Sequence, residues 1–273
     1  MAIITVSRQL ASGGDEVSRK IAERLGYKFF GKKELERRIV DLGFPETKLA
    51  RFDEKKVGFL AGLTRSRDEY LNYLMTAILE AAAENNCVIV GRGSFIILKD
   101  LENHISCRFI ADDAVRIERL QNEMSCNKKS AVKKINETES IQKNFYKSFF
   151  NFDIHEPTMF DVLLNTTKLD ADALSSSIAT LCQEHVTEQK NAAGQQKIDE
   201  LLIGQRIVDI LIFLYNLDIT YLRTSINGNK LTLHGIADNQ SVVDSALTIV
   251  EAELPSYQIE SAINVTQDFK AYR

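Results

Sequence analysis

The first 25 residues follow a strand, polar turn, helix pattern. Ile3, Ile4 and Val6 form the apolar, β-branched run that a buried strand carries. Ser7–Gly14 is rich in small and turn-forming residues. Val17, Ile21 and Leu25 then recur on one helical face, with charged residues on the other. Gly26 ends that helix, and Tyr27–Phe30 reads as a short second strand or extended segment. Lys33–Leu42 is helical, with Leu35, Ile39 and Leu42 at helical spacing. From 43 to 67, Pro45, Gly58 and Gly62 interrupt short apolar patches, which predicts mobile helical pieces. Asp68–Asn85 is a strong helix through Tyr70, Leu71, Leu74, Ile78 and Leu79.

Cys87–Val90 is fully apolar and stops at Gly91-Arg92-Gly93, as a central parallel strand would. Strands follow at Ile105–Ile110 and Phe160–Thr166. Between and after them lie a helix at Asp112–Asn122, a polar helix or helical hairpin at Lys128–Phe150 and a helix at Ala171–His185. This alternation, over residues 1–186, predicts an α/β domain with a mostly parallel sheet. Residues 187–197 are polar without apolar periodicity and read as a linker or helix extension. Residues 198–273 predict a small α+β unit: helix Ile198–Tyr215, strands near Thr220–Ser225 and Lys230–Gly235, helix Ser241–Leu254 and strand Gln258–Gln267. Asn227-Gly228-Asn229 has the residues of a hairpin turn.

Composition narrows the function classes. At 273 residues the chain can bury a core without staples. Lysine and arginine (34) nearly balance aspartate and glutamate (38), which gives no electrostatic case for a nucleic-acid partner. The four cysteines are scattered without a C-x-x-C pair, and the four histidines match no metal spacing, so no metal site is expected. No apolar stretch has the length of a membrane span, and no signal-peptide layout opens the chain. The expected location is the cytoplasm.

The candidate chemistry is phosphate binding. A strand, a small-residue loop and a helix N-terminus present unpaired N–H groups and a favourable dipole to an anion. A P-loop reads G-x-x-x-x-G-K-[ST]. With Gly13 as its second glycine, Arg8 stands at the first, Gly14 at the lysine and Asp15 at the hydroxyl residue. The alternative is an ordinary corner in which Asp15 and Glu16 complement the helix dipole. In parallel sheets ligands bind beyond the carboxyl ends of the strands, which puts Arg92 at the same edge as this loop unless it lies in a surface turn. Arg116 and Arg119 share a helix face, and salt bridges to Glu118 or Glu123 are the plain alternative there.

Four ordered stretches, ITVSRQLASGGDEVSRKIAERLGYKFFGKKEL, CVIVGRGSFIILKD, CRFIADDAVRIERL and MFDVLLNT, together resemble the cytidylate kinase-like family over roughly residues 1–186. The resemblance implies a P-loop kinase fold with a five-stranded parallel sheet and a helical lid. It implies transfer of a phosphoryl group from ATP, with Mg²⁺, to a nucleoside monophosphate such as CMP or dCMP. By position, Ser12, Gly13 and Gly14 match the family's phosphate loop. Arg92 matches the arginine of the GRD motif that contacts the monophosphate, with Gly93 in place of the Asp. Arg37 falls near the arginine that grips the acceptor phosphate. Arg116 and Arg119 match arginines leading into the lid, and Glu139 and Gln142 fall where Asp and Arg usually bind substrate. Arg8 is the candidate for the charge of the missing lysine. Asp15 is assigned to the phosphate site, as a helix cap or an aid to Mg²⁺.

Ala11 departs from the family's GSGG, and Gly31 stands where an acidic residue is common. The C-terminal unit, about 198–270, is similar to BON-type domains in element order and in INGNKLTLHGIADN. That resemblance implies a ligand or protein partner for it. Three readings follow: a nucleoside monophosphate kinase, a catalytically degenerate nucleotide sensor, or a phosphotransferase with a non-nucleotide acceptor.

Overall fold

A computed structural model describes residues 2–49, 52 and 64–266. The chain divides into two compact units, Met1–Gln196 and Lys197–Arg273. Unit 1 runs β1 (Ile3–Arg8), α1 (Gly14–Leu25), β2 (Lys28–Phe30), α2 (Lys32–Asp41), the single turn α3 (Glu46–Leu49) and α4 (Thr64–Ala83). Then come β3 (Cys87–Val90), the short α5 (Ser94–Ile97), β4 (His104–Ile110), α6 (Asp113–Met124), α7 (Lys128–Phe150), β5 (Val162–Asn165) and α8 (Ala171–His185); α9 (Glu188–Asp209) begins in unit 1 and ends in unit 2. The five strands form one parallel sheet in the order β2-β3-β1-β4-β5, the α/β architecture of P-loop kinases.

β1 lies at the centre, and the chain builds outward on both sides of it. The connection from β1 leads to β2 and β3 on one side, and β4 and β5 then occupy the other. Such a reversal opens a crevice at the carboxyl ends of the strands.

The two faces of the central strands differ in chemistry. Residues paired in register share a face, and alternate residues point to opposite faces. Ile4, Val6, Val88, Val90, Cys107 and Phe109 face α1 and α8, where Val17, Ile21, Leu174 and Ile178 complete an apolar core. The other face of β1 and β4 carries Thr5 and Ser7 beside Ser106 and Arg108. Burying that polarity requires internal hydrogen bonds. Thr5 Oγ1 and His104 Nε2 share one of 2.7 Å. Ser106 donates from its N–H (2.8 Å) and its hydroxyl (2.7 Å) to Asp161. An aromatic cluster from Phe95, Phe145, Tyr146, Phe152 and Phe160 packs within the same unit.

Two open alternatives are resolved. Glu188–Asp209 is one helix, ending in a π-helical turn at Ile210–Leu214, so of the two readings of residues 188–197, linker or helix extension, the structure has the helix extension. Their Glu, Gln, Lys and Ala residues are good helix formers even without an apolar stripe. Lys128–Phe150 is a single helix, capped by Asn127, whose side chain accepts from Ser130 N–H at 2.9 Å. Most of the segment expected to be mobile, residues 50–51 and 53–63, lies outside the described residues.

Unit 2 has a three-stranded mixed sheet. β6 (Ile219–Asn227) pairs antiparallel with β7 (Lys230–Ala237), and β8 (Gln258–Val265) joins β7 in parallel after the crossover helix α10 (Gln240–Glu253). Leu231, Leu233, Ala246 and Val250 are central to its core. No helix among the described residues is long and apolar enough to cross a membrane.

Burial holds His104 neutral by depressing its pKa from 6.5 to about 4. A depressed folded-state value means that the unfolded chain binds the proton first. The stability from this residue is therefore complete above about pH 6.5 and is lost as pH falls towards about 4. Urea unfolding across pH 7 to 4 should show a loss of about 1.4 kcal/mol per pH unit from this group. His104→Gln should flatten the profile by that slope, and an unchanged slope in the variant would refute the assignment.

Candidate functional site

The loop after β1 is shaped by close backbone packing. Gln9 N–H donates to the Phe109 carbonyl at 3.0 Å, which carries the chain past the end of β4. Ala11 (φ 59°) and Gly13 (φ 78°) are left-handed, and Gly13 caps the start of α1. A Cβ on Gly14 would lie 2.7 Å from Arg8 Cβ and 3.0 Å from Phe109 Cβ. The P-loop lysine position thus has no room for a side chain here. Arg8 Nε instead donates at 3.0 Å to Asp15, which occupies the P-loop hydroxyl position. The Ser12 carbonyl accepts from the Thr166 hydroxyl, while Ser12 Oγ is buried without a hydrogen-bond partner.

The β3 edge presents three consecutive left-handed residues, Gly91 (φ 80°), Arg92 (φ 59°) and Gly93 (φ 77°). Gly91 N–H donates to the Val6 carbonyl at 2.9 Å, so this turn lies beside the β1 loop, as the sequence implied. Gly93 cannot be replaced without strain: its Cβ would meet the Phe150 ring at 2.4 Å. The Arg92 side chain is buried. It donates to the Phe52 carbonyl at 3.0 Å, to Tyr70 Oη at 3.1 Å and to the carboxylate of Glu36. Ser94 Oγ, two residues further on, is another buried hydroxyl without a partner.

α6 is anchored by Arg116, 1 % exposed. It donates to the Leu10 carbonyl at 3.0 Å, to Asp113 at 2.9 Å and to Glu139 at 2.5 Å. Its partners are therefore not Glu118 or Glu123 but the phosphate loop and α7. Arg119 donates to the Thr166 hydroxyl at 3.0 Å and carbonyl at 2.9 Å, and its Nη1 lies 3.4 Å from where a Gly13 Cβ would stand. That guanidinium faces the loop and has no carboxylate partner among the described residues.

Arg37 is placed elsewhere. Its side chain is 84 % exposed, 3.8 Å from Asp41, and lines a surface depression of about 440 Å³ with Phe30, Glu34, Leu42 and Glu80. None of the loop residues, Arg92, Arg116 or Arg119 lines it. Glu36, the neighbour of Arg37 in sequence, turns to Arg92 instead. One residue along a helix is a rotation of about 100°, enough to change the face.

Two residues at this edge escaped sequence reasoning: Glu36, whose partner is 56 positions away, and Arg108. Arg108 had a signal. It is the one charged residue in the strand ISCRFI, and it is buried.

The arrangement joins the glycine-bearing loop after β1, the buried arginine turn after β3 and the two α6 arginines along one sheet edge. Residues 3–168 match the cytidylate kinase-like family. The chain belongs to that family. The cytidylate kinase of Pyrococcus horikoshii is 26 % identical over 199 residues, which cover 73 % of this chain and 96 % of that one. The cytidylate kinase of Methanocaldococcus jannaschii is 28 % identical over 104 residues, 37 % of this chain and only 58 % of its own. A crystal structure of an uncharacterized protein from Eubacterium ventriosum superimposes with a TM-score of 0.54 at 20 % identity, covering 67 % of this chain and 99 % of the other. It shares the fold.

For this cytidylate kinase-like protein the missing lysine is a packing matter. Gly14→Lys should destabilise unit 1 by about 1–3 kcal/mol, as overpacking does. Urea unfolding checks this, and a variant as stable as the parent would show that Arg8 and Phe109 yield without strain.

Proposed function

We propose that unit 1 is an ATP-dependent phosphotransferase of nucleoside monophosphate kinase type, with CMP or dCMP as the acceptor class. The observation that carries the reading is Arg119: a guanidinium without a carboxylate partner, set against the glycine of an anion-binding loop. The two glycines and the orphaned Ser12 hydroxyl fit a phosphate chain. No cluster of His, Cys, Asp or Glu suited to a metal occurs among the described residues, so Mg²⁺ would arrive with ATP. There it would neutralise charge between the β- and γ-phosphates.

In this reading an oxygen of the acceptor phosphate forms the new P–O bond while the bond from the γ-phosphorus to the β,γ-bridging oxygen breaks, releasing ADP. The protein contributes position and fixed positive charge, and little covalent chemistry. Loop N–H groups of Gly13 and Gly14 hold the donor phosphates, and Arg119 faces the transferring group. Arg116 orders the loop from behind, through the Leu10 carbonyl. Arg92 orders the acceptor side, through Glu36 and Tyr70. Arg37 has no part in the transfer. Unit 2, whose sequence is similar to BON-type domains, is assigned the binding of a separate ligand or protein.

A second reading, a nucleotide sensor without turnover, is favoured by one pair of contacts. Gly14 excludes a lysine, and Asp15 is held by Arg8 where a P-loop has its hydroxyl. A non-nucleotide acceptor is the third outcome of the same assay.

The test is ADP release from Mg-ATP by the full chain, with CMP, dCMP, UMP, AMP and GMP offered separately. Acceptor-dependent turnover is expected. Arg119→Met should lower kcat by about 10²–10³-fold, the usual effect of losing a preorganised charge donor. Its melting temperature should barely move, because only hydrogen bonds to Thr166 are lost. Arg37→Ala should stay within about twofold, as exposed substitutions do. Absence of turnover with every acceptor, together with nucleotide-dependent thermal stabilisation, would replace the kinase by the sensor.

A further inference from the structure

The arginines at the crevice edge differ in how their charge is met. Arg92 has Glu36, Arg116 has Asp113 and Glu139, and Arg8 has Asp15. Arg119 and Arg108 have no carboxylate partner among the described residues. Arg119 lies against the loop and belongs to the donor side. Arg108 has no role in the transfer described above.

Arg108 is 6 % exposed and sits on β4 directly across from Ser7 of β1. Its Nη1 donates to Ser7 Oγ at 2.8 Å, and its guanidinium carbon lies 5.4 Å from the centre of the Phe160 ring. An arginine has five N–H donors. One is met here by a protein acceptor. Among the described residues, the side-chain polar atoms that are sealed from solvent and unpartnered are Ser12 Oγ, Asn86 Oδ1, Ser94 Oγ and Asn103 Oδ1. The remaining Arg108 nitrogens are not among them, so the fork still reaches accessible space although its stem is buried.

Burial lowers the Arg108 pKa, opposed by Tyr146 and Glu139, while Arg116 adds to the lowering. Tyr146 and Glu139 are both on α7. A buried cation without a counter-ion is costly, and replacing it by an apolar side chain of similar size is commonly neutral or stabilising. A purely structural role would be served better by such a residue. The cost is offset if an anion arrives there.

We propose that Arg108 and Ser7 form an anion subsite on the crevice floor, which takes the tetrahedral phosphate of the acceptor. The guanidinium fork offers parallel N–H donors to two phosphate oxygens, and the Ser7 hydroxyl orients it from the neighbouring strand. Phe160 closes one side, which keeps water from competing. The acceptor assignment rests on the kinase reading; the anion subsite does not.

The test is thermal stabilisation of the full chain by inorganic phosphate, by CMP and by cytidine. The parent is compared with Arg108→Met and Arg108→Lys. The parent should respond to inorganic phosphate. Arg108→Met should melt no lower than the parent without ligand, yet require at least about tenfold more phosphate for the same shift, as loss of a charged hydrogen bond implies. Arg108→Lys keeps the charge, loses the fork and should fall between. CMP should follow phosphate across the three proteins, and cytidine should not change. An unchanged phosphate response in Arg108→Met, or no response in the parent, overturns the subsite whatever the melting points do. If Arg108→Met does not fold, Arg108→Lys decides: parental affinity for phosphate overturns the proposal, weakened affinity supports it. A phosphate response that depends on Arg108 while CMP has no effect retains the anion subsite and rejects the nucleoside monophosphate as its source.

Discussion

The buried guanidinium of Arg116 is the interaction on which the site depends. It reaches backward to the carbonyl of Leu10, outward to Asp113 and across to Glu139, and so fixes the phosphate loop against two helices at once. A buried ion pair contributes little net stability compared with an apolar replacement, but losing one partner leaves an uncompensated charge that costs about 3–5 kcal/mol. Its value is therefore in geometry. The loop backbone, with its left-handed Ala11 and Gly13, is held in place by this contact and by the Gln9 and Thr166 hydrogen bonds.

The architecture was legible because its signals are local. Ile3–Val6, Cys87–Val90 and the glycines that follow are short, uninterrupted patterns that only a buried parallel strand and a tight turn satisfy. Arg116 and Arg119 entered through the family resemblance, and their contacts to Leu10 and Thr166 emerged only from the structure. What stayed hidden depends on pairing across the fold. The crowding that makes Gly14 obligatory comes from Arg8 and from Phe109, the latter at the far end of a neighbouring strand. The choice between Glu36 and Arg37 as the inward residue of α2 turns on helix rotation, which a stretch with two adjacent arginines and few apolar markers leaves open. The 187–197 tract lacked a stripe because much of that helix is exposed, not because it is irregular.

Electrostatics then sorts residues that look alike in sequence. Arginines at positions 8, 37, 92, 108, 116 and 119 are chemically identical, yet their partners assign them different work. A guanidinium bound to a carboxylate has its charge met within the fold. One that meets only hydroxyls and carbonyls does not. Position relative to a motif does not make that distinction; the surrounding carboxylates do.

The single helix α7 connects both ends of this machinery. Glu139 grips Arg116 at the lid root, and Phe150, eleven residues and about 16 Å further along the axis, rests against Gly93 in the turn that carries Arg92. Between those contacts Phe145 and Tyr146 hold the helix in the aromatic cluster. One helix thus fixes both the separation and the relative rotation of these two contacts, since each residue between them adds about 1.5 Å and about 100°.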